Sequence, residues 1–168
     1  DYQQPVLERA TLIAAARKHD WARLQDILAC LASPGHEEIQ TASLIRLLAD
    51  CPAEEKWAAL RKLMTDSSPL VRACAAEALG RRLDQPNLAA LIKATGDDYR
   101  LVRVRAAAAL ASVPEDSLPE PQRRQVNNAM SELIAAMRSR PDDMASHYNL
   151  GNFYMARNQM REAVPEFE

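Results

Sequence analysis

The sequence predicts an all-α fold, a right-handed α-solenoid built from stacked helical hairpins. Three observations carry this expectation. The stretch Asp66-Ser67-Ser68-Pro69-Leu70-Val71-Arg72-Ala73-Cys74-Ala75-Ala76-Glu77-Ala78-Leu79-Gly80 is rewritten 31 residues later as Asp97-Asp98-Tyr99-Arg100-Leu101-Val102-Arg103-Val104-Arg105-Ala106-Ala107-Ala108-Ala109-Leu110-Ala111. Self-similarity at such a period marks a stack of supersecondary units, each burying its apolar face on the next. The composition agrees: 48% of the 168 residues are hydrophobic, yet only 5% are aromatic and only 4 are glycine. A chain that draws its apolar surface from alanine and leucine favours helix throughout. Finally, the first copy carries a helix start. Asp66 or Ser67 can accept orphan N–H groups, and Pro69 suits a first turn that needs no donor.

Within the first copy Val71, Ala75, Ala78 and Leu79 fall on one helical face. Small side chains there let neighbouring helices approach closely, so a further layer can stack. Val71-Arg72, the alanine-rich run and Leu79-Gly80 together resemble the second helix of a HEAT-like repeat, and the resemblance covers both copies. It implies hairpins of an outer and an inner helix. The inner helices, starting near Glu38, Ser68 and Asp98, would line one concave surface. It also implies that Arg72 reaches an aspartate of its own or the adjacent repeat, an Arg72–Asp97 type of pairing, with a ligand contact as the alternative. Arg103 takes the same reading.

Taken in order, residues 5–18 read as a first helix, with Val6, Leu7, Ala10, Ile13 and Ala14 at helical spacing. His19-Asp20 breaks it, and Asp20 caps the next helix. Trp21, Leu24, Ile27, Leu28 and Leu31 form the next stripe. Ser33-Pro34-Gly35-His36 is a turn, and Ile39, Ala42, Leu44, Ile45, Leu47 and Leu48 make another helix. Ile39 lies 32 residues before Val71, so this pair is a degenerate earlier repeat. Trp57, Leu60, Leu63 and Met64 belong to the outer helix of the first clear copy. Leu88, Leu91 and Ile92 belong to that of the second, which starts at Pro86 or Asn87. Trp21 and Trp57 read as packing residues at repeat interfaces.

Val113-Pro114-Glu115-Asp116-Ser117-Leu118-Pro119-Glu120-Pro121 interrupts the array, because its prolines cannot continue a helix. Residues 122–138 form a longer helix with Val126, Ala129, Met130, Leu133, Ile134 and Met137 as its stripe. Beyond it, Leu150-Gly151, Tyr154, Ala163 and Phe167 fall on the spacing of a tetratricopeptide repeat. That resemblance implies a helical hairpin with Asn158 in a left-handed turn, where the family usually has glycine. His147 replaces the usual tryptophan, and Pro165 departs from the pattern. The first helix of such a unit usually lines that family's groove, which makes Tyr148, Asn149 and Asn152 the candidate binding residues. Asn149 matches the asparagine that grips a peptide carboxylate in some chaperone-binding members. The expected organisation is HEAT-like repeats over 1–113, a proline-rich break and linking helix over 114–140, and an incomplete tetratricopeptide unit over 141–168. The chain reads as a fragment of a longer protein. Its last helix, with Tyr154, Met160, Val164 and Phe167, is expected to fray or to self-associate.

Nothing in the sequence marks a catalytic centre. GxSxG, HExxH, P-loop and GxGxxG patterns are missing. His19, His36 and His147 are isolated near expected helix ends and read as turn or capping residues. Cys30, Cys51 and Cys74 lack the close spacing of a zinc or haem site. They read as small core residues, with a Cys30–Cys51 bridge as the alternative. The formal net charge of −2 leaves no basic excess to neutralise a phosphate backbone, which disfavours nucleic acid. No apolar run reaches the length of a membrane span. HEAT-like arrays include some DNA glycosylases and bilin lyases. The first need a basic cleft with aromatics, and the second offer no residue pattern that carries over.

The expected function is therefore a non-catalytic protein–protein interaction scaffold with a protein or peptide partner and no cofactor. The alternative is an accessory or lyase-like domain that binds a small molecule on the concave face. The helix over 97–110, the Gln122-Arg123 helix and the repeat start over 147–151 also resemble a region that follows multihaem c-type cytochrome domains in bacterial periplasmic proteins. That resemblance implies a haem-bearing parent in the periplasm; otherwise a cytoplasmic location is expected. The chain has no CxxCH and would attach no haem itself.

Overall fold

A computed structural model describes residues 3–33, 35 and 37–168, with side chains from residue 7 onward. Val6, Pro34 and His36, named above, have side chains outside the described residues. Among the described residues the secondary structure is helical: α1 (Gln3–Arg17), α2 (Leu24–Ala32), α3 (Glu38–Leu48), α4 (Glu55–Leu63), α5 (Pro69–Leu79), α6 (Gln85–Ala94), α7 (Arg100–Ala109), α8 (Glu120–Arg138), α9 (Met144–Ala156) and α10 (Met160–Phe167). Short 3-10 turns precede α2 and α8. None of these helices is long and apolar enough to cross a membrane.

Local chemistry sets the helix starts. Glu37 accepts from the Ile39 and Gln40 amides at the head of α3. Ser68, one residue beyond the expected cap, accepts from the Val71 amide, while Asp66 accepts from the Ser68 amide. Pro69 occupies the first helical position, as expected. Helix α6 starts before the expected Pro86 or Asn87, because the Asp84 carboxylate captures the Asn87 amide at 3.0 Å. Asp20 caps the 3-10 turn at Trp21 through the Ala22 amide.

The helices stack as two layers. Helices α1, α3, α5 and α7 pack side by side in one layer; α2, α4 and α6 form the other. Contacts within the first layer are far more extensive than those within the second. The first layer, the more closely packed of the two, holds the helices expected from the sequence to be inner, and is termed the inner layer. Small residues make this close packing possible: Ala73, Ala75, Ala76 and Ala78 of α5 are all buried. At Gly80 an added Cβ would lie 2.7 Å from the Ala109 Cβ, so the α5–α7 crossing excludes even alanine without a shift. Val71, Leu79, Val102 and Leu110, paired across the two copies, are completely buried. Trp57 is buried, with the Lys56 ammonium 4.5 Å and the Arg82 guanidinium 5.6 Å from its ring centre. Trp21 is half-buried and packs against the His19 ring.

Helix α8 packs on both α6 and α7, α9 packs on α8, and α10 packs on α9. Gln125 of α8 donates to the Ile92 carbonyl at the end of α6. Arg157, after α9, reaches Met130 Sδ at 2.7 Å, the Glu115 carboxylate and the face of Phe153. The α9–α10 hairpin is thus tied to both α8 and the segment after α7. Asn158 adopts φ 57° in its turn, and a Cβ at Gly151 would lie 2.5 Å from the Phe167 ring.

Candidate functional site

An arginine ladder runs along one edge of the inner layer. Arg72 donates to Asp97 Oδ2 at 2.8 Å and Oδ1 at 2.9 Å, and to the Asp66 and Ser67 carbonyls at 2.7 and 3.1 Å. Its side chain is 11% exposed, and Tyr99 covers it at 5.4 Å. Arg103 repeats the arrangement with the Asp97 and Asp98 carbonyls and the Glu132 carboxylate of α8. The fork of donors is spent on the protein itself. Arg72 makes the expected pairing with Asp97, whereas Arg103, expected to reach an aspartate, pairs with Glu132 of α8 instead. Burial alone would raise the Asp97 carboxyl. The Arg72 hydrogen bonds, the Tyr99 amide and the Arg72 and Arg103 charges outweigh it and hold the carboxyl below its usual range.

The inner layer presents a different, solvent-facing surface. Leu7, Ile39, Leu70 and Leu101 stand at matching positions of α1, α3, α5 and α7, spaced 32, 31 and 31 residues apart. Leu7 and Ile39 are each 64% exposed, Leu101 is 41% exposed, and Leu70 is half-buried. Two turns further along each helix, on the same face, stand Ala14, Arg46, Glu77 and Ala108. All four are exposed. Arg105 approaches Glu77 at 3.7 Å. Beside them lies a groove of about 450 Å³, lined by Glu77, Gly80, Arg81, Arg105, Ala108 and Ala156. The surface thus combines an apolar row with a parallel row of mixed charge. Sequence reading missed the apolar row, although the repeat period applied to Leu70 and Leu101 was sufficient to find it.

The candidate residues of the C-terminal hairpin lie elsewhere, on α9. Tyr148 is 61% exposed and meets the Phe167 ring edge-on at 6.0 Å; Asn149 and Asn152 are exposed on the same helix. Around them Met144, Met155, Met160, Val164 and Phe167 leave large apolar surfaces exposed. Of the turn or capping role expected for His147, the cap itself falls to Asp143, and His147 bonds the preceding turn. It lies within the first turn of α9, with Nδ1 2.7 Å from Glu166 Oε2 and Nε2 2.8 Å from the Pro141 carbonyl.

All three cysteines are free thiols, so the alternative Cys30–Cys51 bridge is not formed. Burial pushes the Cys30 thiol up, and it does the same for Cys74 against the opposing influence of Arg46. Neither is prepared as a thiolate nucleophile. Among the described residues no group of three or more histidine, cysteine, aspartate or glutamate side chains is placed to hold a metal ion.

Comparison with known proteins agrees with this architecture. No curated protein and no solved structure matches the chain. The HEAT repeats family matches residues 24–111, the span from α2 to the residue pair that closes α7. The duplicated hairpins, the alanine-packed inner layer and this match together show that the chain belongs to the HEAT repeat family.

Proposed function

We propose that this protein is a non-catalytic interaction scaffold whose inner layer seats a helical segment of a partner protein. The apolar row of Leu7, Ile39, Leu70 and Leu101 carries the reading. Packed helices lie about 8–10 Å apart, so successive rungs of the row advance by about that distance. A partner helix rises about 1.5 Å per residue, and seven residues span about 10.5 Å. A helix laid across the layer with an apolar residue at every seventh position would set one side chain against each rung. The row of Arg46, Glu77 and Arg105 would face its polar flank. In this reading the scaffold has no cofactor of its own in this stretch.

Photo-crosslinking tests the proposal. A photoreactive residue at Ile39 or Leu101 should capture a partner, while the same residue at Lys93 of the outer layer should not. Ile39→Glu with Leu101→Glu should abolish capture at a third inner site, Leu70, without changing the melting temperature. Equal capture from both layers, or capture that survives the double substitution, would refute it.

The finer reading extends to the C-terminus. The α9–α10 hairpin opens a tetratricopeptide array, and Tyr148, Asn149 and Asn152 line a second peptide groove. The Gly151–Phe167 crossing and the left-handed Asn158 support this reading. Its exposed apolar residues, Val164 and Phe167 among them, are the surface through which self-association would run. The parent, in the same reading, is a haem-bearing periplasmic protein. Unchanged affinity of the full-length protein after Asn149→Ala and Asn152→Ala would remove the groove, and absence of covalent haem from the full-length parent would remove the haem association.

A further inference from the structure

We propose that His147 is a proton-operated latch that holds the end of α10 against α9 and controls access to the α9 face. The geometry at the ring carries this. Its two nitrogens face two acceptors: the Glu166 carboxylate at 2.7 Å and the Pro141 carbonyl at 2.8 Å. A neutral imidazole has one N–H and one lone pair, so it can satisfy only one of them. The imidazolium has two N–H groups and satisfies both. The arrangement as built therefore belongs to the protonated form, and loss of the proton turns one contact into a meeting of lone pairs.

What the latch holds is defined by the neighbouring residue. Glu166 directly precedes Phe167, whose ring lies over Gly151 and against the edge of Tyr148. Pro165, inside the same helix, supplies no backbone donor, so the last turn of α10 is short of its own hydrogen bonds. The Glu166–His147 bond and the Phe167 ring are thus two ties that hold this turn to α9, beyond the burial of Ala163 one turn earlier. Release would lift Phe167 and uncover Gly151, opening a cleft between the already exposed Tyr148 and Asn152.

The charges around the ring favour the closed form. Glu166 faces it from α10 and Asp143 from the start of α9, while Arg140 lies in the turn beside Asp143. Two turns further along α9, Arg138 of α8 donates to the Tyr154 hydroxyl at 3.0 Å. Asp143 stays ionised, because it accepts from the Ser146 hydroxyl and the Ala145 and Ser146 amides. The Pro141 carbonyl first, and then Glu166, raise the His147 value above that of an ordinary histidine. A raised folded-state value means that the latch is fully engaged below about pH 6.5 and lost as pH rises through the folded value.

The test uses the full chain. Ring-nitrogen NMR should show both His147 nitrogens protonated at pH 6, with a midpoint above about 6.5. Glu166→Gln, which keeps the shape of the side chain, should lower that midpoint. Amide exchange in α10, corrected for intrinsic rates, should speed up across the same midpoint. Each unit of elevation corresponds to about a tenfold change in the closing equilibrium. In His147→Gln, α10 exchange should be independent of pH. A wild-type midpoint at or below about 6.5, or α10 protection that is flat with pH, would overturn the proposal, as would an identical pH response in His147→Gln.

Discussion

Removing the Asp97 carboxylate tests the ladder as the spine of the stack. Asp97→Ala deletes two charge-assisted hydrogen bonds from Arg72, at 2.8 and 2.9 Å, and the Tyr99 amide bond at 2.9 Å. The Arg72 and Asp97 side chains are only 11% and 15% exposed, so water cannot fully replace what is lost. Hydrogen bonds to charged groups contribute about 1.5–3 kcal/mol each, and stranding one partner of a buried pair costs about 3–5 kcal/mol. Partial exposure puts the expected loss near the lower end, about 3 kcal/mol. In a chain of this size that lowers the melting temperature by about 6–12 °C. Urea titration of the wild type, Arg72→Ala, Asp97→Ala and the double variant should give a coupling of about 2 kcal/mol. Arg103→Ala should cost less than Arg72→Ala, because the Arg103–Glu132 pair is 24% and 34% exposed. A coupling below about 0.5 kcal/mol, or equal costs at the two arginines, would refute the reasoning. The Asp97 carboxyl is depressed in the folded state. Its stabilisation is therefore complete above about pH 3.9 and fades as pH falls through the lower folded value. The difference between wild type and Asp97→Asn should shrink over that acid range.

Gly80→Ala should destabilise by about 1–3 kcal/mol, because its Cβ would sit 2.7 Å from the Ala109 Cβ and 3.1 Å from the Ala109 Cα, and backbone cannot step aside; chemical denaturation reads this. The atoms nearest a Cβ at Gly151 all belong to the Phe167 ring, so the Gly151→Ala and Phe167→Ala losses should fail to add in a double-variant cycle. Lys56 is 5% exposed, and its ammonium donates to the Ala49 and Cys51 carbonyls. Lys56→Ala strands both and should lower stability by about 1–3 kcal/mol in the same assay.

The fold was legible because its period is written in side chains that packing requires. Val71 and Val102, or Leu79 and Leu110, recur because each fills the same buried site of a repeated hairpin. The Arg72–Asp97 pair was legible through the HEAT-like resemblance that this period carries. What could not be read were partners supplied by elements outside the period. Glu132 stands mid-helix in α8, with no repeat position to mark it, and only the packing of α8 on α7 brings it to Arg103. For His147 the contact with the preceding turn, at Pro141, was within reach of sequence reading, but its Glu166 partner comes from α10, 19 residues away. The degenerate first repeat shows the reverse case. Thr41 occupies the place of Arg72 there, 31 residues earlier, and the Oε1 of its neighbour Gln40 is buried without a hydrogen-bond partner among the described residues. Its register is legible in Ile39 and the flanking leucines, while the ladder chemistry is absent from its sequence.

Helix α8 shows why the stack continues past the point where its sequence repeat ends. Asp97 lies 25 residues after Arg72, whereas Glu132 lies 29 residues after Arg103, so the next carboxylate arrives by a different route. The rung needs only two carboxylate oxygens within reach of a fixed guanidinium fork, and a glutamate projecting from a helix satisfies that as well as an aspartate on a turn. The outer layer is served by the same helix, since Gln125 takes the Ile92 carbonyl at 2.9 Å and the Thr95 hydroxyl at 3.0 Å. One helix therefore does for both layers what a further hairpin would do. Because α8 contributes no equivalent of Leu101, the apolar row ends at α7. Beyond it the exposed apolar surface shifts to α9 and α10, where Arg157 anchors the hairpin to Met130 and Glu115. The two exposed surfaces are thus joined by packed contacts through α8, and a partner long enough to follow the inner row would meet the α9–α10 turn at Ala156.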